Sequence, residues 1–296
     1  MPVKHLPRLA FVFAICALVC CWPRLGAGAA QPDAKGADEL LNRAGVSFAK
    51  GNREEAIELA SRAIEIEPKN AKAYYVRGRF YAEVRQPQKA VKDLNQALAL
   101  DPRLGLAYYH RAAEGFKLGR IKESAADFDK FVDLAPDQAP KLWQRGISLY
   151  YAGRYEDGQR QFELHQTINS NDVENAVWHF LCLARSAGID KARAALLKIE
   201  HDPRVPMMQI YALYAGKGSA EDVMKAATTG KPSPNELNER LFYAHLYLGL
   251  YFDVAGNEKM AREHIVQAAD LFKVESYMGD VARIHARLMR AQGQSN

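Results

Sequence analysis

The chain has 296 residues, 48% of them hydrophobic and 25% charged, a balance that excludes both wholesale disorder and a polytopic membrane protein. Its formal charge is +5, but Lys4, Arg8 and Arg24 fall in the first 29 residues, which hold no acid. The remaining 37 basic and 35 acidic residues are too evenly matched to advertise a nucleic-acid surface. Three of the four cysteines (Cys16, Cys20, Cys21) lie in that same stretch, so a disulfide framework and a cysteine-rich zinc site are excluded.

The N-terminal element reads as an export signal over residues 1–29. Lys4 and Arg8 precede an uncharged run from Leu9 to Trp22, Pro23 and Arg24 close it, and Ala27-Gly28-Ala29 supplies a small-x-small cleavage site. At helical rise the run spans about 21 Å, short of the roughly 30 Å of a hydrocarbon core. The expected mature chain begins near Ala30 or Gln31, in a periplasm or another exported compartment. Membrane association would require the signal to stay uncleaved or be lipidated. Val19 before Cys20 and Cys20 before Cys21 do not provide the small residue that lipidation favours.

A period of 34 residues organises the middle of the chain. Pro68, Pro102 and Pro136 keep it, as do Arg43, Arg77, Arg111 and Arg145, while Ala56, Ala90, Ser124 and Gly158 keep small residues in step. Each unit reads as two helices. Tyr74, Arg77, Gly78 and Tyr81 share one helical face, and Ala90, Leu94 and Ala97 form the face of the next helix before Asp101-Pro102 stops it. Gly51, Gly119 and Gly153 sit where a first helix ends in a left-handed residue. Repeats are placed at 37–70, 71–104, 105–138 and 139–172. Residues 173–236 are helical but off the period, with helices expected at 173–187, 190–200 and 207–214. A capping box is expected from Ser219 to Asp222 and a loop from Thr228 to Asn235. A fifth repeat-like unit at 242–275 carries Gly249, Phe252, Gly256, Ala261 and Ala268, and a capping helix is expected at 276–291.

The arginine register reads as structural. Asp93 follows Arg77 by 16 residues and Asp127 follows Arg111 by the same interval, which places each pair on the facing helices of one repeat for a bidentate bond. Leu59 and Gln161 occupy the matching place for Arg43 and Arg145. Catalytic signals are scarce. His179 and Cys182 share a helical face, yet no third group completes a thiol mechanism, and Cys182 reads as a core residue beside Trp178, Phe180 and Leu183. No zinc spacing occurs among the eight histidines, and no catalytic residue, metal or cofactor is assigned. A thiol-dependent enzyme using Cys182 is the reading from another class.

The 34-residue units resemble the tetratricopeptide repeat, which implies an all-α solenoid of helix–turn–helix units. In that family the first helix of each repeat lines a concave groove. Carried over position by position, the groove here would present Tyr75, Arg79, Tyr109, His110, Phe116, Lys117, Trp143, Gln144, Tyr150 and Tyr151. Aromatic rings with a few basic groups suit a peptide or a partner helix, and Tyr75, Tyr109 and Trp143 are the expected anchors. The chaperone-type carboxylate clamp is absent, because Leu41 and Gly45 occupy its opening positions. The segments 142–155 and 239–249, and the order of regular repeats, irregular helices and one isolated repeat, resemble NlpI-type bacterial envelope lipoproteins. That resemblance implies a non-catalytic periplasmic adaptor that brings cell-wall hydrolases to a processing protease and forms a homodimer. The alternative binding role is a chaperone-like capturer of secreted or unfolded peptides.

Overall fold

The computed structural model describes residues 34–292; the expected export signal lies outside the described residues. Four helical hairpins come first: α1 (Ala34–Ala49) with α2 (Arg53–Ile66), α3 (Ala71–Glu83) with α4 (Pro87–Leu100), α5 (Gly105–Lys117) with α6 (Ile121–Leu134), and α7 (Trp143–Tyr151) with α8 (Tyr155–Gln166). The second helices start at Arg53, Pro87, Ile121 and Tyr155, so the sequence period is also the period of the chain in space. The first helices keep step until α7, where a 3-10 turn at Pro136–Lys141 containing Pro140 delays the start. Among the described residues there is no strand, and no helix is long and apolar enough to cross a membrane.

Side-chain size sets how closely the paired helices approach. A Cβ on Gly78 would lie 3.1 Å from Leu94 Cγ, and one on Gly146 only 2.5 Å from Phe162 Cζ, so both of these first helices need a residue without a side chain at the crossing. The turn between helices needs a left-handed residue. Gly51, Gly119 and Gly153 supply it at φ +89°, +76° and +77°. In the second hairpin the same position is Arg85 at φ 55°, the only non-glycine with positive φ among the described residues.

The arginine register is structural, as its spacing predicts. Arg77 donates from Nε and Nη2 to Asp93 at 2.7 and 2.9 Å, and Arg111 likewise to Asp127 at 2.7 and 2.6 Å. Each arginine also reaches back one repeat, Arg77 to Ser61 Oγ at 3.1 Å and Arg111 to Asn95 Oδ1 at 2.9 Å. Arg145 keeps both directions with the chemistry exchanged. The forward partner is neutral Gln161 at 2.8 Å, and the acid is Asp129, one repeat back, at 2.9 and 2.7 Å.

After the hairpins come α9 (Val173–Ala187), α10 (Ile189–Ala194), α11 (Met207–Tyr214) and α12 (Ala220–Thr228). The helix expected over 190–200 stops at Ala194, because other side chains take the backbone groups beyond it. Tyr211 donates to Leu197 O at 3.2 Å and Asn171 accepts from Glu200 N at 3.0 Å. The capping box forms as expected: Asp222 N donates to Ser219 Oγ at 3.1 Å, and Ser219 N to Asp222 Oδ2 at 2.9 Å. Ser233 caps α13 (Pro234–Val254), which pairs with α14 (Glu258–Val266). A π-helical turn at Gln267–Leu271 and an irregular stretch lead into α15 (Tyr277–Gln292). One apolar core runs from Phe116 on α5 to Met289 on α15, and a smaller one joins α1, α2 and α3.

Candidate partner-binding groove

The ten expected groove residues do lie on α3, α5 and α7, but they do not form one open wall. Phe116 and Tyr150 are buried, and none of the other eight is more than partly exposed. Tyr109 turns into its own repeat, with its ring 5.9 Å from Phe128 and 5.5 Å from Phe131 on α6, and its hydroxyl accepts from Gln144 Nε2 at 3.2 Å. The expectation of Tyr109 as an outward anchor is therefore corrected: its place in the 34-residue register suits the groove, but two phenylalanines from the paired helix claim the ring. Tyr150 packs on Trp178 of α9, and Arg185 approaches its hydroxyl at 3.4 Å.

Part of the wall is also covered. α15 does more than end the solenoid, because it turns back across the inner face. Tyr277 stacks on Phe116 at 5.3 Å and meets Trp143 edge-on at 5.1 Å. His285 Nδ1 sits 3.0 Å from the Tyr151 hydroxyl, and its Nε2 is 3.5 Å from Asp253 on α13. Asp280 accepts from Arg85 at 2.8 Å and from Arg283 at 2.6 Å, while Arg85 also meets Glu275 at 2.6 Å. Phe116, Trp143 and Tyr151 thus already serve as a docking surface, and the docked segment belongs to the same chain.

Charge at this seam follows from burial. Lys117 is paired to Glu114, whose carboxyl is nevertheless pushed up, chiefly by burial and in part by nearby Asp280. Burial drives His285 down to about 4, so it docks as a neutral imidazole. The uncovered part of the wall holds Tyr75, Arg79 and His110. The Tyr75 and His110 rings lie 5.8 Å apart, and burial, with the charges of Arg79 and Lys117, pushes His110 down to about 3.

The thiol reading loses its geometry. Cys182 is wholly buried, and burial pushes its thiol far up, away from the thiolate a nucleophile needs. Its sulfur would sit only 2.8 Å from a Cβ on Gly158, and His179 faces Glu163 at 3.3 Å. Among the described residues no group of three or more potential metal ligands comes together. Four residues at the seam, Arg85, Tyr277, Asp280 and His285, escaped the sequence reading. A signal existed for one of them, since Arg85 interrupts the otherwise constant glycine of the inter-helix turn.

These observations define a helical-repeat protein with a helix-accepting inner face. A tetratricopeptide-repeat family model matches residues 59–92. Among solved structures, the MamA protein superposes at a TM-score of 0.50 with 16% identity, covering 68% of this chain and 99% of that one. PilF of Pseudomonas aeruginosa covers 88% of this chain and 100% of its own at 16% identity and a TM-score of 0.47. The first tetratricopeptide domain of Spaghetti, a structure with a bound HSP90 peptide, covers 35% of this chain and 82% of its own at 26% identity and a TM-score of 0.34. A comparison with the curated proteins found no match. The chain is an all-α tetratricopeptide-repeat solenoid.

Proposed function

We propose that this protein is a non-catalytic scaffold that binds a protein or peptide partner in its concave groove. The observation that carries the reading is the seat of α15. Phe116, Trp143 and Tyr151 hold a helix through aromatic packing and one hydrogen bond, which is the kind of contact a helix-in-groove interface uses. We further propose that the chain is exported, on the pattern of residues 1–29, and acts as an adaptor in the cell envelope, on its resemblance to NlpI-type lipoproteins. Homodimerisation belongs to the same reading. Affinity purification of the tagged full-length chain from envelope extract tests it: an adaptor returns a few partners in stoichiometric amounts, whereas a peptide-capturing chaperone returns many in small amounts. Intact mass of the natively expressed protein tests export, with removal of about 29 or 30 residues expected.

A further inference from the structure

The helix that fills the groove is held by contacts of unequal quality. Its apolar side buries Met278, Val281, Ile284 and Met289, which keeps it seated in the free protein. Its polar side is poorly satisfied. Glu114 Oε2, Asp280 Oδ2 and His285 Nε2 are all buried along the seam without a hydrogen-bond partner among the described residues. One edge is not sealed, because a cleft of about 410 Å³ runs between Lys117, the π-helical turn and α15, lined by Asp270, Arg283 and Arg287. The connection to α14 is irregular over residues 272–276, and Leu271 beside it is 64% exposed. A helix with this attachment leaves as a unit more readily than one bonded into a hairpin.

Arg85 adds an independent observation. The three equivalent turns use glycine, and this one alone holds a side chain in the left-handed region, where a non-glycine residue is strained. What that conformation accompanies is the reach of the guanidinium to Asp280 and Glu275. The second repeat therefore gives up the relaxed turn residue and gains a clasp on the start of α15.

Building on the scaffold reading above, we propose that α15 is a displaceable occupant of the groove. The partner that takes its place is an amphipathic helix with an aromatic residue and, three positions on, a carboxylate. The aromatic ring replaces Tyr277 between Phe116 and Trp143, and the carboxylate replaces Asp280 at Arg85. An apolar stripe at the spacing of Val281 and Ile284 completes the fit. While α15 is tethered its local concentration is high, so the groove is closed by default and a free helix must compete with it.

The test uses a fluorescent synthetic peptide of residues 277–292 as the probe and the full-length chain as the receptor. Wild type is expected to bind it weakly. Asp280→Asn weakens the tethered copy while the peptide keeps its own carboxylate, and peptide affinity should rise about tenfold or more, in line with the loss of the tethered competitor. Trp143→Ala added to Asp280→Asn should abolish the gain. Should the Asp280 variant fold poorly, Tyr277→Ala provides a second way to weaken the tethered copy, with the same expected rise. No binding to either folded variant would overturn the proposal and make α15 a fixed part of the core. Equal binding to wild type and variants would also overturn it, by placing the peptide elsewhere. Neither result touches the scaffold reading, which stands or falls on the wild-type purification.

Discussion

Replacing Asp93 by alanine should lower stability by an amount set by how deeply its pair with Arg77 is buried. The carboxylate is 5% exposed and the arginine 21%, and the bond is bidentate at 2.7 and 2.9 Å. Removing one partner of a fully buried pair costs about 3–5 kcal/mol, because the other charge is left without compensation. Here Arg77 keeps some solvent and its bond to Ser61, which lowers the expected cost to about 2–3 kcal/mol. For a chain of this size that corresponds to a fall in Tm of roughly 5–10 °C. Thermal melts followed by circular dichroism measure the shift, and a double-mutant cycle with Arg77→Ala isolates the pair, since the double variant leaves no orphaned charge. An unchanged melt for Asp93→Ala, or additive losses in the cycle, would refute the reasoning and return the arginine row to the surface as candidate ligand groups.

Gly146→Ala should destabilise by about 1–3 kcal/mol in a urea melt, because the added methyl meets the Phe162 ring and the helices must part; a neutral result would mean the ring moves freely. Acid should weaken the fold before the carboxylates titrate. His285 is depressed from its usual 6.5 to about 4, so the unfolded chain binds more protons between those values. The stability that neutral His285 contributes is complete above pH 6.5 and is lost as pH falls towards 4. The loss reaches about 3 kcal/mol at most, since each pKa unit is worth about 1.36 kcal/mol. His285→Gln should flatten that part of a pH series of melts, and an unaltered slope would contradict the burial of the ring. Cys182 should resist iodoacetamide in the folded protein and react fully in urea, with Cys182→Ala leaving partner binding intact; rapid native alkylation would reopen the thiol reading. Tyr109→Ala should cost about 2–4 kcal/mol in the melt, as a ring packed on Phe128 and Phe131 does, and a loss of binding with no loss of stability would restore it as an anchor.

The repeat architecture was legible because it is written locally. A glycine at the crossing, a left-handed residue at the turn and an arginine every 34 residues each act within one hairpin or between neighbours. Arg145 shows where that reading was too narrow: looking only 16 residues forward finds Gln161, while the acid stands 16 residues back at Asp129. The stretch 195–206 continues directly from α10, yet Tyr211 and Asn171 take its backbone groups, a tertiary choice that no local propensity reveals. The groove was read correctly as a position and wrongly as a vacancy. The helix that fills it comes from more than 120 residues away in sequence, and α15 carries no period that points back to α5 and α7. Only Arg85, out of place in a row of glycines, marked the contact in advance.

The most direct measurement of the central claim, that α15 rests in the groove under the hold of Arg85, is hydrogen exchange by mass spectrometry on the full-length chain and on Arg85→Gly. The substitution restores the turn residue of the other repeats, so hairpins α1 to α8 should keep their protection. The account predicts faster exchange confined to residues 267–290, as the clasp on Asp280 and Glu275 is lost. Unchanged exchange in that segment, or an equal loss across the whole chain, would contradict it.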